Sequence, residues 1–301
     1  QFPVKTSQQE QIILTDVTLR DGLQAEMKVV SLEQKLELLD LLSLCGFSRL
    51  EITSFVNPKW IPQLADAEKL CEAWFKKNNS QETMAFVPNA KGCERLIRFP
   101  IPWVSCFVAA SATFNQKNIN ATIEETEKEL KEVVAISRKA QRKVRIYVST
   151  TWGCPYEGDI EISKLESLFQ KLSGLDADEI ALSDTIGVAT PDSVKRVLGV
   201  SQKYFSSSKT ALHLHNTYGF ALANIQAGYE CGLRSFDGSL GGVGGCPYAK
   251  GATGNVASDD VWNLFFRQLK ISSFPKNQIE AALKILREKI GLKLSSSLAQ
   301  I

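Results

Sequence analysis

Short β-rich runs alternate with longer helical patterns along the whole chain, and the alternation counts out to eight units. The predicted strands are Ile12–Thr18, Arg49–Thr53, Thr83–Val87, Trp103–Ala109, Val144–Thr150, Glu179–Ser183, Ala211–His215 and Arg234–Ser239. Each is followed by a helix-like stretch. In SLEQKLELLDLLSLCG, Ser31 stands as N-cap, Gln34 completes a capping box, leucines recur at helical spacing and Gly46 stops the run. Similar patterns cover Thr122–Lys139, Glu161–Leu172, Thr190–Tyr204, Ala221–Cys231 and Ser258–Leu269.

Eight strand–helix units are what a closed parallel barrel requires, whereas an open doubly wound sheet usually has fewer strands and a Gly-rich first turn. Here the first turn reads TLRDGLQ, without G-x-G-x-x-G. The expected fold class is therefore α/β, a (β/α)8 TIM barrel with an extra C-terminal helix. Its catalytic domain would span residues 10–275, and residues 276–301, with a helix over Asn277–Lys289 and a polar tail, would pack on or near the barrel. No low-complexity linker divides the chain.

Charge narrows the partners. With 35 basic and 33 acidic residues and no long block of one sign, nothing suggests a nucleic-acid or membrane surface, while small anionic substrates stay open. No run of eighteen apolar residues and no leader pattern is visible. The seven cysteines are scattered without a C-x-x-C pair, which fits reduced thiols in a cytoplasmic setting. An organelle leader ahead of Gln1 would be invisible.

In a parallel barrel the chemistry sits at the C-terminal ends of the strands, so polar residues there are the candidates. The seventh strand reads LHLHN and carries the only two histidines, His213 and His215. Residues two apart on a strand share a face, so both imidazoles can converge on one ion. By itself such a pair is as often structural as ligating; its place at a barrel strand end favours ligation. Asp21, after the first strand and two barrel positions away, is a candidate oxygen ligand that would bias the site toward a hard ion such as Mg²⁺ or Mn²⁺. Arg20 beside it is expected to face a different direction, with Glu51 of the second strand placed to hold it, since a buried glutamate needs a cationic partner.

The stretch Gly238–Asn255, GSLGGVGGCPYAKGATGN, holds seven of the nineteen glycines. Glycine at this density lets backbone approach a ligand, and the embedded Cys246-Pro247-Tyr248 argues against a mere flexible linker. A thiol on such a loop over a metal site suggests acid/base or nucleophilic work.

Taken together, TLRDGLQ (18–24), the 51–63 segment with SFV-x-PKW-x-PQ, KVRIYVS (143–149), GCPYEG (153–158), SDTIGV-x-TP (183–191), HLHNTYG-x-ALAN (213–224) and GGVGGCPYAKGATGN (241–255) resemble the 3-hydroxy-3-methylglutaryl-CoA lyase family over about Ile12 to Leu269. The HxH and R-D-G elements are shared with the wider superfamily of synthases and aldolases; the glycine loop and the SFV-x-PKW segment resemble the lyases specifically. The resemblance implies metal ligation by Asp21, His213, His215 and Asn255, a divalent cation as cofactor, and a CoA-thioester substrate. It further implies enolate stabilisation by Arg20 with Glu51 in support, and Cys246 as loop acid or base, with the choice between those roles open. Gln24, Ser54, Arg145, Tyr147, Asp184 and Asp259 match positions that bind substrate or brace the site. A homodimer is also implied. The implied reaction is cleavage of the acyl-CoA to acetyl-CoA and acetoacetate, as in leucine breakdown and ketone-body formation.

Some positions depart from the family pattern: Asn216 where aspartate is common, Thr18-Leu19 where Gly-Pro is common, and Thr151-Trp152 where smaller residues are common. Trp152 is expected to narrow the barrel mouth or alter the preferred acyl group. The tail SSSLAQI lacks a cysteine, so no thiol switch is expected there. The rival readings are a related metal-dependent aldolase or acyl-CoA lyase with another substrate, then a condensing synthase, and last a non-enzymatic binding barrel, which would show damaged ligand positions.

Overall fold

The computed structural model describes residues 11–245 and 254–301. Eight parallel strands close into a barrel: β1 Ile13–Asp16, β2 Arg49–Ser54, β3 Thr83–Phe86, β4 Trp103–Ala109, β5 Lys143–Ser149, β6 Glu179–Asp184, β7 Thr210–Leu214 and β8 Ser235–Gly238. Neighbours in sequence are neighbours in the ring, and β8 pairs with β1 from Ile13 opposite Ser235 to Asp16 opposite Gly238. A helix follows each strand: α1 Leu32–Leu42, α2 Ala67–Phe75, α3 Ala90–Leu96, α4 Ile123–Lys139, α5 Ile162–Ser173, α6 Pro191–Ser201, α7 Ala221–Glu230 and α8 Ser258–Gln268. A further helix, α9 Lys276–Lys284, continues as a wider π-type turn over Ile285–Ile290, ends at Gly291 in the left-handed region (φ 85°) and packs against α1.

Local chemistry explains the starts. Ser31 and Gln34 form the expected capping box on α1, and Thr122 with Glu125 does the same for α4, each satisfying backbone N–H groups that the first turn leaves without partners. Pro191 at the first turn of α6 gives up an N–H that would be unpaired in any case.

Strand parity divides the core. Outward residues such as Leu50, Val104, Ile146, Ile180 and Leu212 join the helices in one large apolar cluster. Inward residues include a small apolar group of Met84, Trp103, Tyr147, Ala181 and Ala211, but also Arg49, Glu51, Arg145, Glu179 and Asp237, all buried. Charge inside the barrel is tolerated because the groups pair: Arg49 Nη1 and Arg145 Nε each lie 2.8 Å from Glu179 Oε1.

The first strand ends at Asp16 rather than the expected Thr18, and Thr18–Gly22 forms a single π turn in which Val17 carbonyl accepts from the N–H of Arg20, Asp21 and Gly22. Such turns interrupt regular backbone and are frequent at functional sites. On β2 the register skips Ile52, so that Ser54 stands opposite Phe86. This bulge turns Ser54 from the outward row of Leu50 and Ile52 toward the interior row.

Candidate active site

The π turn after β1 and the end of β7 meet across β8 at the barrel mouth. Asp21 Oδ2 lies 3.6 Å from His213 Nε2 and 3.9 Å from His215 Nε2, and one ligand atom from each of the three residues falls within 4.8 Å of the others. A carboxylate oxygen and two imidazole nitrogens facing one point form a donor set that fits a divalent ion. Asn255 joins them from another direction. Residues 254–256 run beside the end of β7, with Val256 N–H donating to Leu214 carbonyl and Asn216 N–H to Gly254 carbonyl. This sets Asn255 Nδ2 2.9 Å from Asp21 Oδ2. The amide thus shows its nitrogen to the carboxylate, and giving its oxygen to a shared ion calls for a half-turn of that amide.

Arg20 does not face away from Asp21. Its Nη1 lies 2.6 Å from Asp21 Oδ1, because a π turn lacks the alternation of a strand and leaves adjacent side chains side by side. Arg20 Nε also donates to Glu51 Oε1, and the guanidinium carbon stands 5.2 Å from the ring centres of both Phe86 and Tyr147. Glu51 is fixed in turn: its Oε2 accepts from Ser105 Oγ at 2.8 Å and from Tyr147 hydroxyl at 2.9 Å.

Electrostatics follow from this packing. Burial works against the charge on Arg20, but Glu51 and Asp21 outweigh it and raise its pKa above the usual arginine value. Burial also opposes ionisation of Asp21, which Arg20 and His213 overcome, holding the carboxyl well below its usual range. The histidines are driven apart. Against the burial penalty, Asp21 and Asp237 raise His213 to about 9, whereas burial lowers His215 to about 4.

Arg145 and Asp184, expected among the substrate-binding groups, are placed as braces. Arg145 is fully buried one inward position deeper than Tyr147, held by Glu179 and by Asp237 at 2.7 Å, so barrel depth keeps it from the mouth. The Asp184 carboxylate accepts from Val188 and Ala189 N–H at 3.0 and 2.9 Å, tying down the loop that leads to α6; burial raises its pKa to about 6. Asp259 accepts from Gly241 N–H at 2.8 Å at the base of the glycine loop. Ser54 is buried with no hydrogen-bond partner for its hydroxyl among the described residues, and Gln24 is exposed just past the π turn. Cys246 lies outside the described residues. Trp152, expected to narrow the mouth, is 8% exposed and belongs to the large apolar cluster, so its indole is spent on packing. Asn216 accepts from Ala221 N–H at the start of α7, a role that its amide oxygen fills as an aspartate would.

Sequence reasoning missed Asp237, whose Oδ2 lies 2.9 Å from His213 Nδ1. The signal was available: a lone carboxylate inside a predicted strand, at the parity of its inward neighbours, must have a buried partner. Phe86 and Ser105 were also missed, and as ordinary strand residues they carry no comparable signal.

The closed barrel and this mouth, together with the family and relatives that match the chain, place it in a class, the TIM-barrel carbon–carbon lyases. Residues 11–279 match the family model described as HMGL-like. The chain is 39% identical over 293 residues to a hydroxymethylglutaryl-CoA lyase of Bacillus subtilis, covering 97% of each. A crystal structure of the Bacillus subtilis HMG-CoA lyase superposes with a TM-score of 0.92 at 38% identity, over 96% of this chain and 97% of the other. An HMG-CoA lyase of Acinetobacter baumannii, in complex with coenzyme A and 3-methylmalate, gives 0.90 at 33% identity over 98% and 96%. The chain belongs to the HMGL-like family. Among the described residues no helix is long and apolar enough to cross a membrane.

Proposed function

We propose that this chain cleaves 3-hydroxy-3-methylglutaryl-CoA to acetyl-CoA and acetoacetate, with Mg²⁺ or Mn²⁺ held by Asp21, His213, His215 and Asn255. The observation that carries the reading is the pairing of a donor set of two imidazoles and a carboxylate, fit for a divalent ion, with Arg20, an arginine immobilised by Glu51 and two aromatic rings. A bound divalent ion would supply Lewis acidity toward the substrate's tertiary hydroxyl and a neighbouring oxygen.

The rest falls to side chains. A base takes the proton of the tertiary hydroxyl; the bond between the hydroxyl-bearing carbon and the thioester α-carbon breaks; its electron pair becomes the acetyl-CoA enolate. Arg20 faces that developing negative charge with its orientation already fixed, so no reorganisation is needed as the bond breaks. A proton delivered to the α-carbon completes acetyl-CoA, and the other fragment leaves as acetoacetate. Cys246 is the candidate acid or base on the glycine loop. Glu51 and Tyr147 orient Arg20, and Ser54 holds a buried hydroxyl that meets no hydrogen-bond partner among the described residues. The solved lyase of Acinetobacter baumannii with coenzyme A bound supports a CoA-thioester substrate; a cytoplasmic setting and a homodimer are what the sequence resemblance implies.

The test is product identity: acetoacetate formed from 3-hydroxy-3-methylglutaryl-CoA with added Mg²⁺ or Mn²⁺ and lost on chelation. Unchanged turnover after complete metal removal defeats the metal reading. Preference for another 3-hydroxyacyl-CoA or a 4-hydroxy-2-oxo acid in a parallel panel defeats the substrate.

A further inference from the structure

We infer that Asp237 is a positioning residue that makes His213 and His215 unequal partners toward a divalent cation; the inference rests on the metal reading of the triad. Asp237 points inward from β8 and is 1% exposed. Its Oδ2 sits 2.9 Å from His213 Nδ1 and 2.7 Å from Arg145 Nη1. Arg145 is anchored on its other side by Glu179, which also accepts from Ser235 Oγ at 2.7 Å and holds Arg49. A rigid charged chain therefore runs from the barrel floor to one histidine of the triad. The Tyr147 ring, edge-on to the His213 imidazole at 5.3 Å, fixes the ring plane as well.

Among the described residues the second histidine has no such support. His215 Nδ1 is buried and meets no hydrogen-bond partner among the described residues. The two imidazoles present the same atom, Nε2, toward Asp21 Oδ2 and differ in what stands behind them. A carboxylate behind Nδ1 keeps the proton on that nitrogen, so an arriving ion displaces the proton on Nε2 and meets there a lone pair that the carboxylate makes a better donor. Arg145 keeps Asp237 from swinging away and balances its charge, so the carboxylate orients the ring. His213 is thus the ligand whose ring orientation and facing nitrogen are preset, and His215 settles its tautomer only when an ion arrives.

Because the sequence contains two histidines in all, imidazole ¹⁵N spectra of the full-length chain show two rings, assigned by the loss of one in His213→Gln. With Mg²⁺ as the probe, the wild-type His213 ring shows an Nδ1 proton protected from solvent exchange, while His215 shows none of comparable protection. Two rings with equal protection overturn the inference without any change at Asp237. In Asp237→Asn the protection is lost and Mg²⁺ affinity falls about ten- to a hundredfold, the usual effect of losing a carboxylate behind a ligating histidine. A folded Asp237→Asn chain with wild-type Mg²⁺ affinity and an intact protected proton also overturns it. Wild-type spectra unmoved by saturating Mg²⁺ and Mn²⁺ instead defeat the underlying metal reading, a result distinct from either.

Discussion

The Tyr147 hydroxyl donates to Glu51 Oε2 at 2.9 Å, and through that bond a residue of β5 governs an arginine on the turn after β1. Tyr147→Phe removes the donor and leaves the ring stacked near Arg20. The expected result is a fall of about tenfold in kcat with little change in KM, since one hydrogen bond to a charged group contributes about 1.5–3 kcal/mol and Ser105 still holds the same oxygen. An equal rise in KM would show that Tyr147 binds substrate instead.

Arg20→Lys keeps the charge but loses the planar fork that bonds Glu51 and Asp21 together. Steady-state assays should give kcat lower by roughly a hundred- to a thousandfold, the range seen when a charge-stabilising donor is removed. Near wild-type turnover would exclude Arg20 from enolate stabilisation.

Glu51→Ala leaves Arg20 buried without its main counter-charge, and breaking such a pair costs about 3–5 kcal/mol. Urea denaturation should show the loss as a lower midpoint. A variant as stable as wild type would mean that the pair contributes nothing net to folding.

Uptake of Mg²⁺ should depend on pH with a definite sign. His213, raised to about 9, carries a proton at neutral pH in metal-free protein, and an ion must displace it. Calorimetry at pH 7.5 in buffers of different ionisation heat should find about one proton released per ion, with affinity rising toward pH 9. The metal-free protein should behave oppositely. A folded pKa above the unfolded value of about 6.5 adds stability that is fully present below pH 6.5 and lost as pH rises through about 9. Thermal melts that climb over that interval would refute the assignment.

Gly238 ends β8 against α8: a Cβ there would stand 2.8 Å from both the Cα and the backbone nitrogen of Ser258. Gly238→Ala must therefore push α8 away, at about 1–3 kcal/mol as for other overpacked sites. Thermal unfolding measures this; an unshifted Tm would show that the strand end yields without strain.

The barrel was legible because its signals are periodic and local: strand-length apolar runs, capping residues such as Ser31 and Thr122, and glycine stops. The Asp21–His213–His215 cluster was legible because strand parity and ring closure alone bring these positions together. What escaped was the geometry of irregular backbone. The π turn at Thr18–Gly22 cannot be told from a strand end by composition, and it reverses the expected relation of Arg20 to Asp21. The skipped register at Ile52 is equally silent in the sequence, yet it decides where Ser54 points. Asp237 escaped for another reason: its partner lies on a different strand, and only the closed ring identifies which one.

The triad draws on the first strand's turn and the seventh strand, with the eighth wedged between them and Asn255 arriving later still. No fragment of the chain that stops short of residue 255 contains the complete set. On the proposed ligand set, then, the metal centre is complete during synthesis only once nearly the whole barrel has left the ribosome, and capture of the ion would be a signature that the ring has closed.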